Sequence, residues 1–320
     1  MLGFLLRRLA ASLILLVLVL TATFILMHLA PGDPTNREAS RLTAEQRENL
    51  RRIYGLDRPL PEQYLRWMTS VALRGDFGIS WSQQRPVADA LKAALPPTLL
   101  LAFAALFVEY AIALPLGVAV ARRPGSALDH GVRVVSLIIF SQPVFWLALM
   151  AILLFSQVWP VLPSSLMRSL GYEQMSPGER LLDLLRHLAL PALVLGVWAS
   201  GATLRLVRGS LLEVMSRDYI RTARAKGLSE RRVVWVHGMR TALAPILQIF
   251  AVSLVGLLNG SLVAEVIFSW PGMGRLAFEA VLARDYPVVL ATTALAAVFV
   301  LAANFLADVI HALADPRVRE

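Results

Sequence analysis

The sequence predicts an all-α membrane protein with six spanning helices, and three observations carry the prediction. Hydrophobic residues make up 57% of the 320 positions, above the ~45–50% apolar usage of soluble domains. Mean hydropathy is +0.63. Six stretches approach the ~20 apolar residues that a helix needs to cross the hydrocarbon layer with every backbone amide satisfied internally. They are residues 9–29, 97–121, 134–159, 188–204, 242–266 and 288–313. The fourth is short before Arg205 and is expected to run on into the polar helix that follows. The absence of Cys excludes disulfides, thiolate catalysis and a Cys-ligated metal.

The first stretch follows Arg7 and Arg8, as a secretory signal would, but its apolar run exceeds the ~7–15 residues of a signal core. It is therefore read as a retained helix. Basic residues set the orientation. Between the fourth and fifth stretches stand Arg205, Arg208, Arg217, Arg221, Arg224, Lys226, Arg231, Arg232 and Arg240, against Glu213, Asp218 and Glu230. This segment is expected in the cytoplasm, and with six spans both termini are as well. Arg122, Arg123, Arg317 and Arg319 agree. The net charge of +9 is then explained by a cytoplasmic face that meets anionic lipid headgroups and partner proteins, without nucleic acid.

Residues 31–96 are expected to form a small helical insertion outside. Thr43 and Gln46 make a capping box, an amphipathic run follows to Tyr54, and Gly55 can end it in the left-handed conformation. Pro59 and Pro61 open a second segment through Trp67 that stops near Gly75. Such an insertion is either a lid packed on the spans or a docking surface for an external partner. The expected division is 1–30 for the N-terminus and first span, 31–96 for the insertion, and 97–320 for the membrane core, with a cytoplasmic loop at about 205–241.

Ionisable groups inside spans are scarce, which gives a proton-relay carrier little support. Glu109 lies mid-span, where a carboxylate is expensive and is either functional or held by another helix. Gln248, Ser253 and Asn259 on the fifth span line a translocation path or bond between helices. Asp308 near the inner end of the last span is read as an interfacial ion pair, Gly256 and Gly260 as close helix packing, and Trp270-Pro271-Gly272 as a rigid outer turn that exploits positive φ at Gly. No GxxxxGK[ST] loop, HExxH or GxSxG occurs, and the five His are scattered. ATP binding and the commonest hydrolase chemistries thus lack their residues.

The most informative stretch is 218–245. Tyr219–Lys226 favours helix, Gly227 suits a left-handed cap, and Ser229 can cap a second short helix opening at Glu230. A basic helix-turn-helix is also a DNA-binding pattern, but tethering between two spans argues against it. Asp218-Tyr219-Ile220-Arg221-Thr222-Ala223-Arg224-Ala225-Lys226-Gly227 resembles the EAA loop of permeases in ATP-binding cassette importers, in the dipeptide, oligopeptide and nickel branch. Further strings of that branch follow in order along the chain: Leu29-Ala30-Pro31-Gly32-Asp33-Pro34, Gly75-Asp76-Phe77-Gly78-Ile79-Ser80, Pro143-Val144-Phe145-Trp146, Glu265-Val266-Ile267-Phe268-Ser269-Trp270-Pro271-Gly272-Met273-Gly274 and Asp315-Pro316-Arg317. The long insertion after the first span resembles the first of the two permeases such systems contain.

The resemblance implies a bacterial or archaeal cytoplasmic-membrane protein that catalyses nothing itself. It pairs with a second permease, receives short peptides or, alternatively, nickel chelates or other small solutes from an extracytoplasmic binding protein, and is driven by two ATPase subunits carrying ATP and Mg. The helix containing Asp218, Tyr219, Arg221, Thr222, Ala223, Arg224, Ala225, Lys226 and Gly227 would couple it to those ATPases. Arg221 and Thr222 stand where Glu and Ala are usual, and Arg240 where a Pro is common. The rival readings are a membrane-embedded enzyme, which needs a convergent catalytic cluster, and a sensor whose spans only anchor the insertion.

Overall fold

The computed structural model describes residues 2–30 and 43–314. The strings at Pro31–Pro34 and Asp315–Arg317 lie outside the described residues. The chain divides into two compact units, Met1–Pro97 with Gly272–Leu301, and Thr98–Pro271 with Ala302–Glu320. Among the described residues the regular structure is helical, with one isolated bridge between Ile79 and Pro86.

Unit 1 holds α1 (Leu2–Leu29), α2 (Ala44–Ile53), α3 (Leu60–Arg74), the first part of α4 (Val87–Arg122), α11 (Met273–Ala283) and most of α12 (Tyr286–Ala314). The start of α2 is the expected capping box: the Thr43 hydroxyl accepts from Gln46 N at 3.3 Å while Thr43 N donates to the Gln46 side chain at 2.8 Å. Gly55 and Gly75, at φ +69 and +62, turn the chain out of α2 and α3 as expected. The string from Gly75 to Ser80 then has a physical reading. Asp76 accepts from Gly78 N at 2.8 Å in a local turn. Ser80 and Ser82 donate to the buried carboxylate of Asp285 at 2.6 and 2.7 Å, and Asp285 also accepts from Ser82 N at 2.9 Å. Val87, Leu91, Leu276, Val288 and Ala291 form the apolar core beneath.

Unit 2 is built on α5 (Ala127–Ser141), α6 (Val144–Ile152) with a π turn at Leu153–Val158, and α7 (Pro177–Met215). There follow α8 (Asp218–Ala225), the short α9 (Glu230–Arg232), a π turn at Val233–Gly238 and α10 (Met239–Ile267). The third expected span is broken: its two halves, Ala127–Ser141 and Val144–Val158, meet at 97°. Pro143 supplies the reason, since it lacks an N–H and pushes Gln142 to an extended ψ of 141°. The fourth span is part of a 39-residue helix that starts at Pro177, where Ser176 and Glu179 form a second capping box. The helix also contains Pro191.

Gly196 is one of the points where α7 closely approaches α4. A Cβ there would sit 2.6 Å from both Ala105 O and Val108 Cβ, and one at Gly117 would sit 2.7 Å from Val207 Cγ1. Gly256, which the sequence marks for close packing, is exposed with nothing within 4 Å of its Cβ position. The surroundings of Gly260 and the side chain of Asp308 lie outside what the structure describes. In the turn after α10 the positive φ falls on Ser269, at +50, whereas Gly272 is extended at φ −100 and ψ −178, and Trp270 is fully buried. Glycine's freedom is therefore not what shapes that turn.

Among the described residues, four helices are long and apolar enough to cross a membrane, or five if the bent pair is one span: Arg7–Leu29, Val87–Arg122, Pro177–Met215 and Tyr286–Phe305, with the pair between α4 and α7. The remaining expected span corresponds to the 29 residues of α10, part of which lies outside the described side chains.

Candidate functional site

Helix α8 stands between two long helices, and its sequence explains its shape. Asp218 in the first turn and Arg224 in the last match the helix dipole. The helix stops at a Schellman turn: Leu228 N donates to Ala223 O at 3.4 Å and Gly227 N to Arg224 O at 2.9 Å, with Gly227 at φ +77. Ile220 and Ala223 are buried against Val233, Met215 and Leu228. This places Ala223 inward, while Asp218, Tyr219, Arg221, Thr222, Arg224, Ala225, Lys226 and Gly227 are exposed. Tyr219 Oη reaches Thr241 Oγ1 at 2.9 Å, fastening α8 to the start of α10.

The second short helix is not separate as the sequence suggested. From Glu230 the helical turns run through the π turn at Val233–Gly238 into α10. Ser229 occupies the cap position, but its side chain makes no capping bond. A fork of Arg224 onto Glu230, at 2.8 and 3.1 Å, clamps the two sides of the Gly227 turn. That guanidinium holds the Glu230 carboxyl below its ordinary value of 4.5. The folded-state value lies below the unfolded one, so the clamp stabilises above that pH and is lost in acid. Both side chains are nearly half exposed, which limits the clamp to about 0.5–1 kcal/mol. Relative to the parent, Glu230→Gln is expected to lower the exchange protection of the Gly227 and Leu228 amides about threefold near neutral pH, a difference that disappears on acidification.

The second group of candidate residues meets in the interior of unit 2. Glu109 on α4 is fully buried, and its Oε1 accepts from Thr203 of α7 and from Ser253 of α10, the latter at 2.9 Å. Oε2 is buried with no hydrogen-bond partner among the described residues. Glu109 is thus an interhelical tie that joins three helices. Ala in its place leaves two hydroxyls without their acceptor, and a loss of about 1–3 kcal/mol is expected in the thermal unfolding of the complex. Glu109→Gln, which keeps an acceptor oxygen, should lose much less. Gln248 and Asn259 fall on α10, but their side chains lie outside the described residues.

Sequence reading missed three further polar ties. Arg208 grips the buried Asp129 through two bonds of 2.7 and 2.8 Å, joining α7 to the start of α5. Glu265 accepts from Thr98 at 2.8 Å and Ser261 at 3.0 Å. Asp183 accepts from Ser169 Oγ at 2.6 Å and so fixes the loop before α7. The signal that could have found them was available: each is a carboxylate in or beside a hydrophobic stretch. Among the described residues no group of three or more His, Asp or Glu is placed to hold a metal.

Comparison with known proteins follows this geometry. A family described as the binding-protein-dependent transport system inner membrane component matches residues 113–320, and its N-terminal companion matches residues 1–102. The chain is 37% identical over 320 residues to the oligopeptide transport system permease protein AppB of Bacillus subtilis (strain 168), covering 99% of each. It is 39% identical to the di/tripeptide transport system permease protein DppB of Pseudomonas aeruginosa (strain UCBPP-PA14), covering 100% of this chain and 99% of that one. With the dipeptide transport system permease protein DppB of Escherichia coli (strain K12) the identity is 35% over the same shares. Among solved structures, the MetNI methionine ABC transporter in an inward-facing conformation gives a TM-score of 0.57 at 20% identity, covering 70% of this chain and 96% of that one. At that identity the likeness speaks for the fold. A family match over most of the chain, in an α-helical protein with several apolar spans, leads to one assignment: this chain belongs to the inner-membrane components of binding-protein-dependent transport systems, and is a transport subunit rather than an enzyme.

Proposed function

We propose that this chain forms half of a translocation path for short peptides, paired with a second, similar permease. An extracytoplasmic binding protein delivers the substrate, and two ATPase subunits carrying ATP and Mg drive import from the cytoplasm. The observation that carries this reading is end-to-end similarity, at 35–39% identity, to proteins named as dipeptide, di/tripeptide and oligopeptide permeases. Residues 31–96 then lie outside, α8 and both termini inside, and the membrane is the bacterial inner one.

Helix α8 supports the ATPase assignment physically. It is short, anchored by Ile220 and Ala223, clamped across its turn by Arg224 and Glu230, and fastened to α10 through Tyr219. A push on the exposed Arg221, Thr222, Ala225 and Lys226 reaches α7 and α10 without bending the helix itself. Glu109 and Ser253 tie those helices to α4, beside the path that Gln248 and Asn259 would line.

The test is gentle purification from the native membrane, with mass spectrometry of accompanying chains and uptake of labelled trialanine by the reconstituted assembly. Recovery of a second permease and of ATPase chains carrying phosphate loops, with ATP-dependent uptake, is expected. A lone stable chain in several mild detergents would overturn the assembly, and an assembly that imports nickel chelates but no peptide would overturn the substrate.

A further inference from the structure

Unit 1 contains a cavity of about 540 Å³, within the ~300–1,000 Å³ of small-ligand sites, to which the transport role just described gives no task. One side is a row of rings. Phe24 lies 4.2 Å from His28, His28 lies 5.1 Å from Tyr286, Tyr286 lies 5.3 Å from Trp81, and Trp81 stacks on Tyr54 at 4.5 Å with 14° between planes. These residues come from α1, the end of α2, the loop before α4 and the start of α12, so the folding of the whole unit assembles the wall.

Charges of both signs complete the lining. Asp76 contributes a carboxylate whose Oδ1 is held by Gly78 N at 2.8 Å, and among the described residues no Lys or Arg pairs with it. Among the cations of the lining, Arg58 and Arg66 share one carboxylate, Glu62, at 2.9 and 3.0 Å. Arg52 meets Glu48 only at 3.7 Å, longer than a hydrogen bond. Aromatic faces beside a carboxylate favour an ammonium group, and guanidinium groups favour a carboxylate through forked bonds. A cavity lined by aromatic rings and by charges of both signs complements a zwitterion that carries an apolar side chain. A neutral sugar would stack on the rings but would answer neither the Asp76 carboxylate nor Arg52.

We propose that this cavity binds a short peptide with free termini. Its α-ammonium lies toward Asp76, its carboxylate toward Arg52 and Arg58, and an apolar or aromatic side chain rests on the wall formed by Tyr54, Trp81 and Tyr286. The permease thus has a peptide site of its own, in addition to that of the binding protein. This rests on the peptide reading above and adds a location to it.

The test measures binding of Ala-Phe-Ala to the assembled transporter in lipid nanodiscs, without the external binding protein. Saturable binding is expected, weakened about tenfold by acetylating the peptide's N-terminus, the size of one charge-assisted contact of ~1.4 kcal/mol. Asp76→Asn keeps the oxygen that accepts from Gly78 and so preserves the turn. It should weaken the free peptide about tenfold and the acetylated peptide not at all. Arg52→Gln should do the same for the free carboxylate relative to the C-terminal amide. Equal affinity for free and acetylated peptide, an Asp76→Asn variant that binds as the parent does, or no saturation by about 10 mM overturns the site. Uptake with the binding protein present is measured in parallel. Uptake without binding by the permease removes this cavity and leaves the peptide reading standing, whereas loss of both removes the two together.

Discussion

Gly227→Trp is expected to abolish uptake while leaving membrane insertion and the recovery of the chain intact. Gly227 sits at φ +77 in the Schellman turn that ends α8, and any other L residue except Asn or Asp pays about 1–2 kcal/mol there. The structure adds a second reason that bulk at a bend would not by itself supply. Nothing lies within 4 Å of the Cβ position, so the side chain is admitted at its root and leaves from the exposed side of the turn, where the proposed ATPase contact is made. Backbone strain and a blocked surface together should reduce uptake by more than about 100-fold, equivalent to ~2.8 kcal/mol. Gly227→Asn, which tolerates the left-handed region, should retain most of the uptake. Gly227→Ala should fall between the two. Wild-type transport and ATPase coupling in the Trp variant would remove α8 from the coupling role.

The second large effect is expected at Gly196. A Val there would place its Cβ 2.6 Å from Ala105 O and from Val108 Cβ, and both neighbours are fixed by the α4 backbone, so no rotamer change relieves the contact. The helices must separate, at an overpacking cost of about 3 kcal/mol or more. Gly196→Val should therefore fail to yield a folded, monodisperse complex. Gly209→Val, on the same helix with nothing within 4 Å, should be nearly neutral. Similar melting behaviour for the two variants would show that the close approach of α4 and α7 is not a constraint on the fold.

Much of the architecture was legible because local chemistry determines it. Thr43 with Gln46, Gly55 and Gly75 marked the limits of the insertion helices, and the basic run with Gly227 marked α8. The same logic applied to Ser176 and Glu179 would have placed the start of α7 correctly; hydropathy alone began the span at 188 because the helix has a polar first turn. The break at Pro143 was hidden inside an apolar run. Tertiary chemistry was less visible. Glu109 stood out as a costly carboxylate, but its partners Thr203 and Ser253 are 94 and 144 residues away, and Asp285 answers to serines more than 200 residues earlier. Glycine spacing pointed to Gly256, which meets no other helix among the described residues, and overlooked Gly196, since a spacing says that two helices can approach, not which helix arrives.

The π turn at Val233–Gly238 gives the connection between α8 and α10 an unusual property. It stores one residue more than the α-helical repeat, in a segment where Val233, Val234 and Gly238 are buried. Absorbing that residue into regular helix would rotate everything beyond it by about 100° without releasing a peptide group from the helical bonding. Because those residues are buried and Tyr219 holds Thr241 at 2.9 Å, the extra residue instead fixes which face of α10 turns inward.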